Sequence, residues 1–164
     1  MIARSRSFRR SPQQGDVQKM RTGGVTSDAF PPVNAIVAFL QQCIDLGVVA
    51  KATAGLHHPL GGQYRLTYAD DAPVDTMYGY LNVFLSAALL AAGGAPSDAQ
   101  RLLGETNAAQ LSVHEETVTW RAEMQRVVSL DRELLQRVRE QVLVSFGSCS
   151  FTEPVEDVRA LGWL

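Results

Sequence analysis

The residues best equipped for chemistry are gathered in Lys51-Ala52-Thr53-Ala54-Gly55-Leu56-His57-His58-Pro59, where an apolar strand pattern runs into a glycine-containing loop. An amine removed from water loses proton affinity and becomes nucleophilic, so Lys51 is a candidate for a Schiff base with a carbonyl substrate. The same ammonium can instead hold a substrate anion, pair with a carboxylate or point to solvent. His57 and His58 are the other catalytic candidates, because an imidazole lining a site can give or take a proton near neutral pH. A loop histidine bonded to backbone ahead of Pro59 is the structural alternative. Adjacent residues on an extended chain point in opposite directions, and neither HxxxH nor CxxC spacing occurs, so no metal site is expected.

A second block, Met20-Arg21-Thr22-Gly23-Gly24, repeats the pattern of strand followed by glycine turn. Glycine lets backbone N–H groups approach an anion closely, and an arginine fork fits phosphate or carboxylate. Arg21, Thr22, Gly23, Gly24, Thr53 and Gly55 are therefore the candidate substrate- or anion-binding residues, although glycine pairs are also common turn signals. Tyr64 and Arg65 are placed to cover the site from a following loop. Cys43 lies on an apolar helix stripe, and Cys149 lies in Gly147-Ser148-Cys149-Ser150 with no histidine beside it in sequence, so both are expected to be structural thiols. His114 falls in a hairpin far along the chain. Asn82, inside an apolar helix, is expected to bond neighbouring backbone. Glu153, Glu156 and Asp157 read as a solvated cluster at a helix start. No GxSxG, Walker loop or GxGxxG is present, and no cofactor is indicated.

The elements that must position these groups follow from periodicity. Val17–Arg21 reads as a strand. Pro32–Leu46 reads as a helix, with apolar residues at Val33, Ile36, Val37, Leu40, Cys43 and Ile44, a cap at Asp28 or Ser27, and Gly47 as its stop. Val48–Thr53 is a second strand, so the three form one βαβ unit with parallel strands. A short edge strand is expected around Tyr64–Tyr68. A helix over Asp75–Ala92 follows, then a short helix capped by Ser97 with Gln100. A hairpin pairs Leu111–Val113 with Val118–Trp120. A charged helix runs from about Leu130 to Phe146, and a last short helix opens at Thr152 and closes at Gly162.

Two parallel strands alone leave edges and faces uncovered. The order strand–helix–strand–helix is how an eight-stranded barrel ends, and its last strand-ends often hold phosphate. The blocks Met20-Arg21-Thr22-Gly23-Gly24, Lys51 to Pro59, Ser145-Phe146-Gly147-Ser148-Cys149-Ser150-Phe151 and Glu153-Pro154-Val155-Glu156-Asp157 resemble the C-terminal portion of a family of uncharacterised bacterial proteins. That resemblance covers Val17 to Leu164 and implies barrel-like relatives about twice this length. It implies no particular reaction.

The fold expectation is thus an α/β chain: a βαβ unit like the last two strand–helix units of a (β/α)8 barrel, with a C-terminal appendage of a small hairpin and short helices, making an incomplete barrel. Residues 1–15, with four arginines and no acid, are expected to form a disordered basic arm, and residues 16–164 one domain. The 164 residues, 46% hydrophobic and 20% charged with net charge −2, are those of an ordinary globular chain, so nucleic acid is not the expected partner. No apolar run reaches the ~20 residues of a membrane span, and cysteine usage suits the cytoplasm. The expected function is that of a fragment or relative of a barrel enzyme binding a small anionic compound, phosphorylated or carbonyl, at the strand ends. The alternative is a non-catalytic remnant or interaction module. Exposed strand edges predict self-association.

Overall fold

The computed structural model describes residues 17–150 and 152–164, so the basic arm lies outside the described residues. Helix α1 (Val33–Leu46) buries Ile36, Val37, Leu40 and Cys43, the stripe its periodicity marks. It ends at Gly47, whose φ of 65° is the left-handed conformation that glycine adopts without a Cβ clash. Neither Ser27 nor Asp28 caps it. Both belong to a separate 3-10 turn, and the helix starts after Pro32 with no side-chain cap.

Strands β1 (Gln18–Arg21) and β2 (Ala50–Thr53) flank this helix and pair in parallel, with Lys19 opposite Lys51 and Arg21 opposite Thr53. Ala50 and Ala52 are buried against the helices, while Lys51 and Thr53 alternate onto the other, half-open face. Next come the antiparallel pair β3 (Gly62–Arg65) and β4 (Val74–Met77). Helix α2 (Tyr80–Ala91) therefore begins five residues later than the expected Asp75. Val74 and Met77 fit a helical spacing, but their backbone is used in the β3 ladder, and Gly79 stands at the helix N-cap. Helix α3 (Pro96–Leu103) is entered through Ala95 and Pro96, so Ser97 lies inside it and makes no capping box.

The hairpin forms as expected. Strand β5 (Leu111–Val113) pairs with β6 (Thr117–Arg121), and a further strand, β7 (Val127–Asp131), extends it. The single helix expected over Leu130–Phe146 is corrected to three elements: the end of β7, helix α4 (Arg132–Gln141) and strand β8 (Leu143–Phe146). Asp131 caps α4 by accepting from the Leu134 N–H at 2.8 Å. Leu134, Val138, Val142 and Phe146 recur every four residues, so a helical pattern continues unbroken across a boundary where the backbone extends.

Strand β8 pairs in parallel with the free side of β2, giving a three-stranded sheet in the order β1-β2-β8. The described residues form a mixed α/β fold of five α-helices, the last being α5 (Glu153–Ala160), and eight strands in three small sheets. The described strands do not close into a barrel. The core lies between α1, α2, α3 and α4 and one face of the parallel sheet, with Leu40, Leu56, Val83, Leu102 and Val138 all 1% exposed or less. Fully burying side chains of this size stabilises by roughly 1.5–3 kcal/mol each. Among the described residues no helix is long and apolar enough to cross a membrane.

Candidate functional site

The C-terminal ends of β1, β2 and β8 lie side by side, and short contacts fasten their loops together. Thr22, 1% exposed, donates its hydroxyl to Ala54 O at 2.8 Å, and Thr53 donates its own to Met20 O at 3.1 Å. Gly55, at φ 75°, sits so close to Gly23 that a Cβ on it would lie 2.7 Å from the Gly23 Cα. The Leu56 N–H then donates to Gly147 O at 3.3 Å, linking the β2 loop to the β8 loop. Of the six candidate anion-binding residues, Thr22, Thr53, Gly23 and Gly55 thus serve this fastening directly. The Arg21 side chain turns back to donate from Nε to Gly23 O at 2.9 Å and lies against Gly24.

Beyond this junction the two histidines diverge, with ring centroids 6.4 Å apart. His58 Nδ1 lies 2.6 Å from Asp157 Oδ2, and its ring stacks on Tyr64 at 3.5 Å. A carboxylate only accepts, so Nδ1 carries the proton and Nε2 of the neutral ring presents its lone pair. Tyr64 is held in turn by donating to Leu60 O at 3.0 Å.

His57 has different neighbours. Its Nδ1 is 3.2 Å from Ser148 Oγ, and Cys149 Sγ is 3.6 Å from both ring nitrogens. The Ser148 hydroxyl donates its one proton to Ser150 O at 3.0 Å. It must therefore accept from His57, which places the His57 proton on Nδ1 and leaves Nε2 as a base. Glu153 Oε2 lies 3.7 Å from Nδ1, a charge contact rather than a hydrogen bond. Burial pulls the His57 pKa below its ordinary value; Glu153 opposes that shift and His58 adds to it. Glu153 also accepts from the Tyr68 hydroxyl at 2.9 Å, and that bond, with smaller contributions from burial and Cys149, pushes the exposed Tyr68 phenol up to about 12.

Both carboxylates come from α5, so the solvated acidic cluster expected there is corrected. Glu153 and Asp157 face the histidines, and only Glu156 is left exposed. Cys149 likewise proves to be an exposed thiol against an imidazole, while Cys43 is buried as expected. The helix is anchored by Tyr80, which donates to Pro154 O at 3.0 Å and stacks on Phe146 at 4.6 Å.

Lys51 sits within β2 rather than at its end. It is half-buried between Lys19 and Ser145 in a row across the open sheet face, and the hydrogen-bond partners of the two histidines among the described residues do not include it. Ser145 Oγ is shielded from solvent without a hydrogen-bond partner among the described residues. Asn82 bonds backbone as expected. His114 is exposed in the β5–β6 turn, donating its backbone N–H to Thr117 O. Among the described residues no group of three acidic, Cys or His side chains is arranged to hold a metal ion. A shallow cleft of about 600 Å³ lies elsewhere, between α3 and β6, lined by Arg101, Trp120, Arg121 and Glu123 among others. No family model matches this chain, and no curated protein and no solved structure is significantly similar to it.

Of the missed residues, Ser148 and Cys149 carry one usable signal: they fall in a polar, glycine-containing loop directly after an apolar run, the same arrangement that marks the β1 and β2 loops. Glu153 and Asp157, on α5, carry none.

Proposed function

We propose that the chain forms the strand-end site of an α/β enzyme related to (β/α)8 barrels, performing acid–base chemistry on a small anionic compound, phosphorylated or carbonyl-bearing. The observation that carries this reading is the His58–Asp157 pair at 2.6 Å, beside His57, where three parallel strand ends meet. A carboxylate that holds the Nδ1 proton orients the imidazole and stabilises the imidazolium formed when Nε2 takes a proton. His58 is the general base in this scheme, and His57, kept neutral by burial, is a second proton carrier.

The anionic character of the ligand is argued from the sheet. Lys19 and Lys51 stand directly opposite each other, Arg21 lies two residues along on the same face, and none has a carboxylate partner among the described residues. Like charges opposed across a sheet repel, and a bound anion relieves that repulsion. In the carbonyl case Lys51 is also the amine available for a Schiff base.

The test is thermal stabilisation by phosphorylated metabolites and by small keto acids. An upward shift that Lys51→Ala abolishes and Glu156→Ala leaves intact supports the reading. For a carbonyl ligand, borohydride trapping on Lys51 and not on Lys19 marks the Schiff base. A folded protein whose melting temperature responds to neither class fits the competing reading, a binding module without a complete active site.

A further inference from the structure

We propose that Cys149 is a thiol nucleophile with His57 as its base, and that the site accepts an acyl ester or thioester of a small acid. The inference rests on the strand-end site being a reaction site, and it names a substrate class for it. Three observations converge. Cys149 is exposed, so an electrophile can reach Sγ. Its Sγ lies 3.6 Å from His57 Nε2, the nitrogen left with a lone pair because Nδ1 donates to Ser148. Glu153 stands 3.7 Å from that Nδ1, where it favours the imidazolium that forms when Nε2 takes the thiol proton. Cys–His pairs of this kind recur where a base is oriented by a third group. Here the third group is Ser148, and Glu153 lies near the same ring nitrogen.

The sulfur faces the ring between its two nitrogens. A rotation of the exposed Cys149 side chain is needed to bring Sγ onto the Nε2 lone-pair axis, as is common before substrate binds. In the step that follows, the Sγ proton passes to His57 Nε2 as Sγ bonds to the acyl carbon. The tetrahedral adduct collapses, the bond to the alcohol or thiol leaving group breaks, and His57 returns the proton to that group. The thioester on Cys149 is then hydrolysed by water, with His57 taking a proton from the water and giving it back to Sγ. Each half-reaction is closed in atoms and electrons without an oxidant.

The experiment treats the full chain with p-nitrophenyl acetate at about pH 7 and maps acetylation by mass spectrometry, next to alkylation by iodoacetamide. A burst of nitrophenol with an acetyl group on Cys149 and none on buried Cys43 is expected. His57→Gln should slow acetylation of Cys149 by ~100-fold, the scale of one lost general base. Ser148→Ala, which frees the Nδ1 proton, should slow it less, and it serves as the second variant if His57→Gln does not fold. Absence of an adduct on Cys149 overturns the proposal, as does a Cys149 reactivity unchanged by both substitutions. The acetyl probe carries no charge. Acetylation without anion stabilisation therefore counts against the anion site alone, and anion stabilisation without acetylation counts against the nucleophile alone.

Discussion

Asn82 is the buried polar group on which the loop carrying the histidines depends, and its replacement gives a prediction whose size can be worked out. The side chain is fully buried in α2. Its Oδ1 accepts from the Gly61 N–H at 2.9 Å, and its Nδ2 donates to Leu102 O and to Glu105 O, both at 2.8 Å. Asn82→Ala strands the Gly61 N–H and takes its donor from the Glu105 carbonyl, whereas the Leu102 carbonyl keeps the Glu105 N–H at 3.3 Å. A buried group left unpaired costs roughly 1–3 kcal/mol, and the Glu105 carbonyl, being partly accessible, recovers some of this from water, so the total is about 2–5 kcal/mol. A typical domain has only about 5–15 kcal/mol to lose. In urea, with a slope of about 2 kcal/mol per molar, the midpoint should fall by about 2 M. Trp120 is a suitable fluorescence reporter, since it is 3% exposed and donates from Nε1 to the Glu105 side chain at 3.2 Å. Asn82→Leu keeps the branched shape, with somewhat bulkier methyl groups, and removes the polar atoms, and it should still lose more than about 2 kcal/mol. A leucine variant as stable as the parent would refute the hydrogen-bond argument, because it would mean that those backbone groups do not need Asn82.

Two further predictions concern titration. Burial lowers the His57 pKa in the folded chain, so between about pH 6.5 and that lower value the unfolded chain holds more protons. The His57 contribution is complete above the unfolded value and is lost as pH falls through that window. Denaturation midpoints from about pH 7 to about pH 5 should therefore fall more steeply for the parent than for His57→Gln, and parallel curves would exclude a desolvated His57. For Tyr68, whose phenol is pushed up to about 12 chiefly by its bond to Glu153, Glu153→Gln should return the titration toward the ordinary tyrosine range. This can be read as the ultraviolet difference between Tyr68 and Tyr68→Phe backgrounds, and a titration that does not move would mean that the bond is not formed in solution.

What could be read from the sequence was local. The stripe on α1, its stop at Gly47, the parallel pairing of β1 with β2 and the β5–β6 hairpin all follow from patterns within a few dozen residues. Strand β8 was hidden because Val142 and Phe146 extend a four-residue spacing begun in α4, so periodicity alone pointed to helix. The start of α2 is masked in the sequence for a related reason, since Met77 keeps helical phase while its backbone pairs with β3. At the site, the histidines were legible from their loop, but their partners were not. Asp157 meets His58 across 99 residues, Cys149 meets His57 across 92, and Glu153 meets Tyr68 across 85. No spacing rule links such positions; only the folding of β8 beside β2 brings the Ser148–Cys149 loop and α5 to them. The acids of α5 looked solvated because a short polar helix has no apolar stripe to reveal which side faces the protein.

Helix α5 supplies the acid for both histidines yet contains no buried residue of its own. Among the described residues its hold on the rest of the chain is the Tyr80–Pro154 and Tyr68–Glu153 bonds, the two imidazole–carboxylate contacts and the partly buried Val158 and Trp163 near Leu81 and Leu111. An element so lightly attached opens as a unit at low free-energy cost. When it detaches, His57 and His58 lose their carboxylates in one event, so the surroundings of the two rings are coupled although the rings do not touch. Amide exchange across α5 should accordingly report on both contacts together, and Asp157→Asn should loosen the surroundings of His57 as well as those of His58.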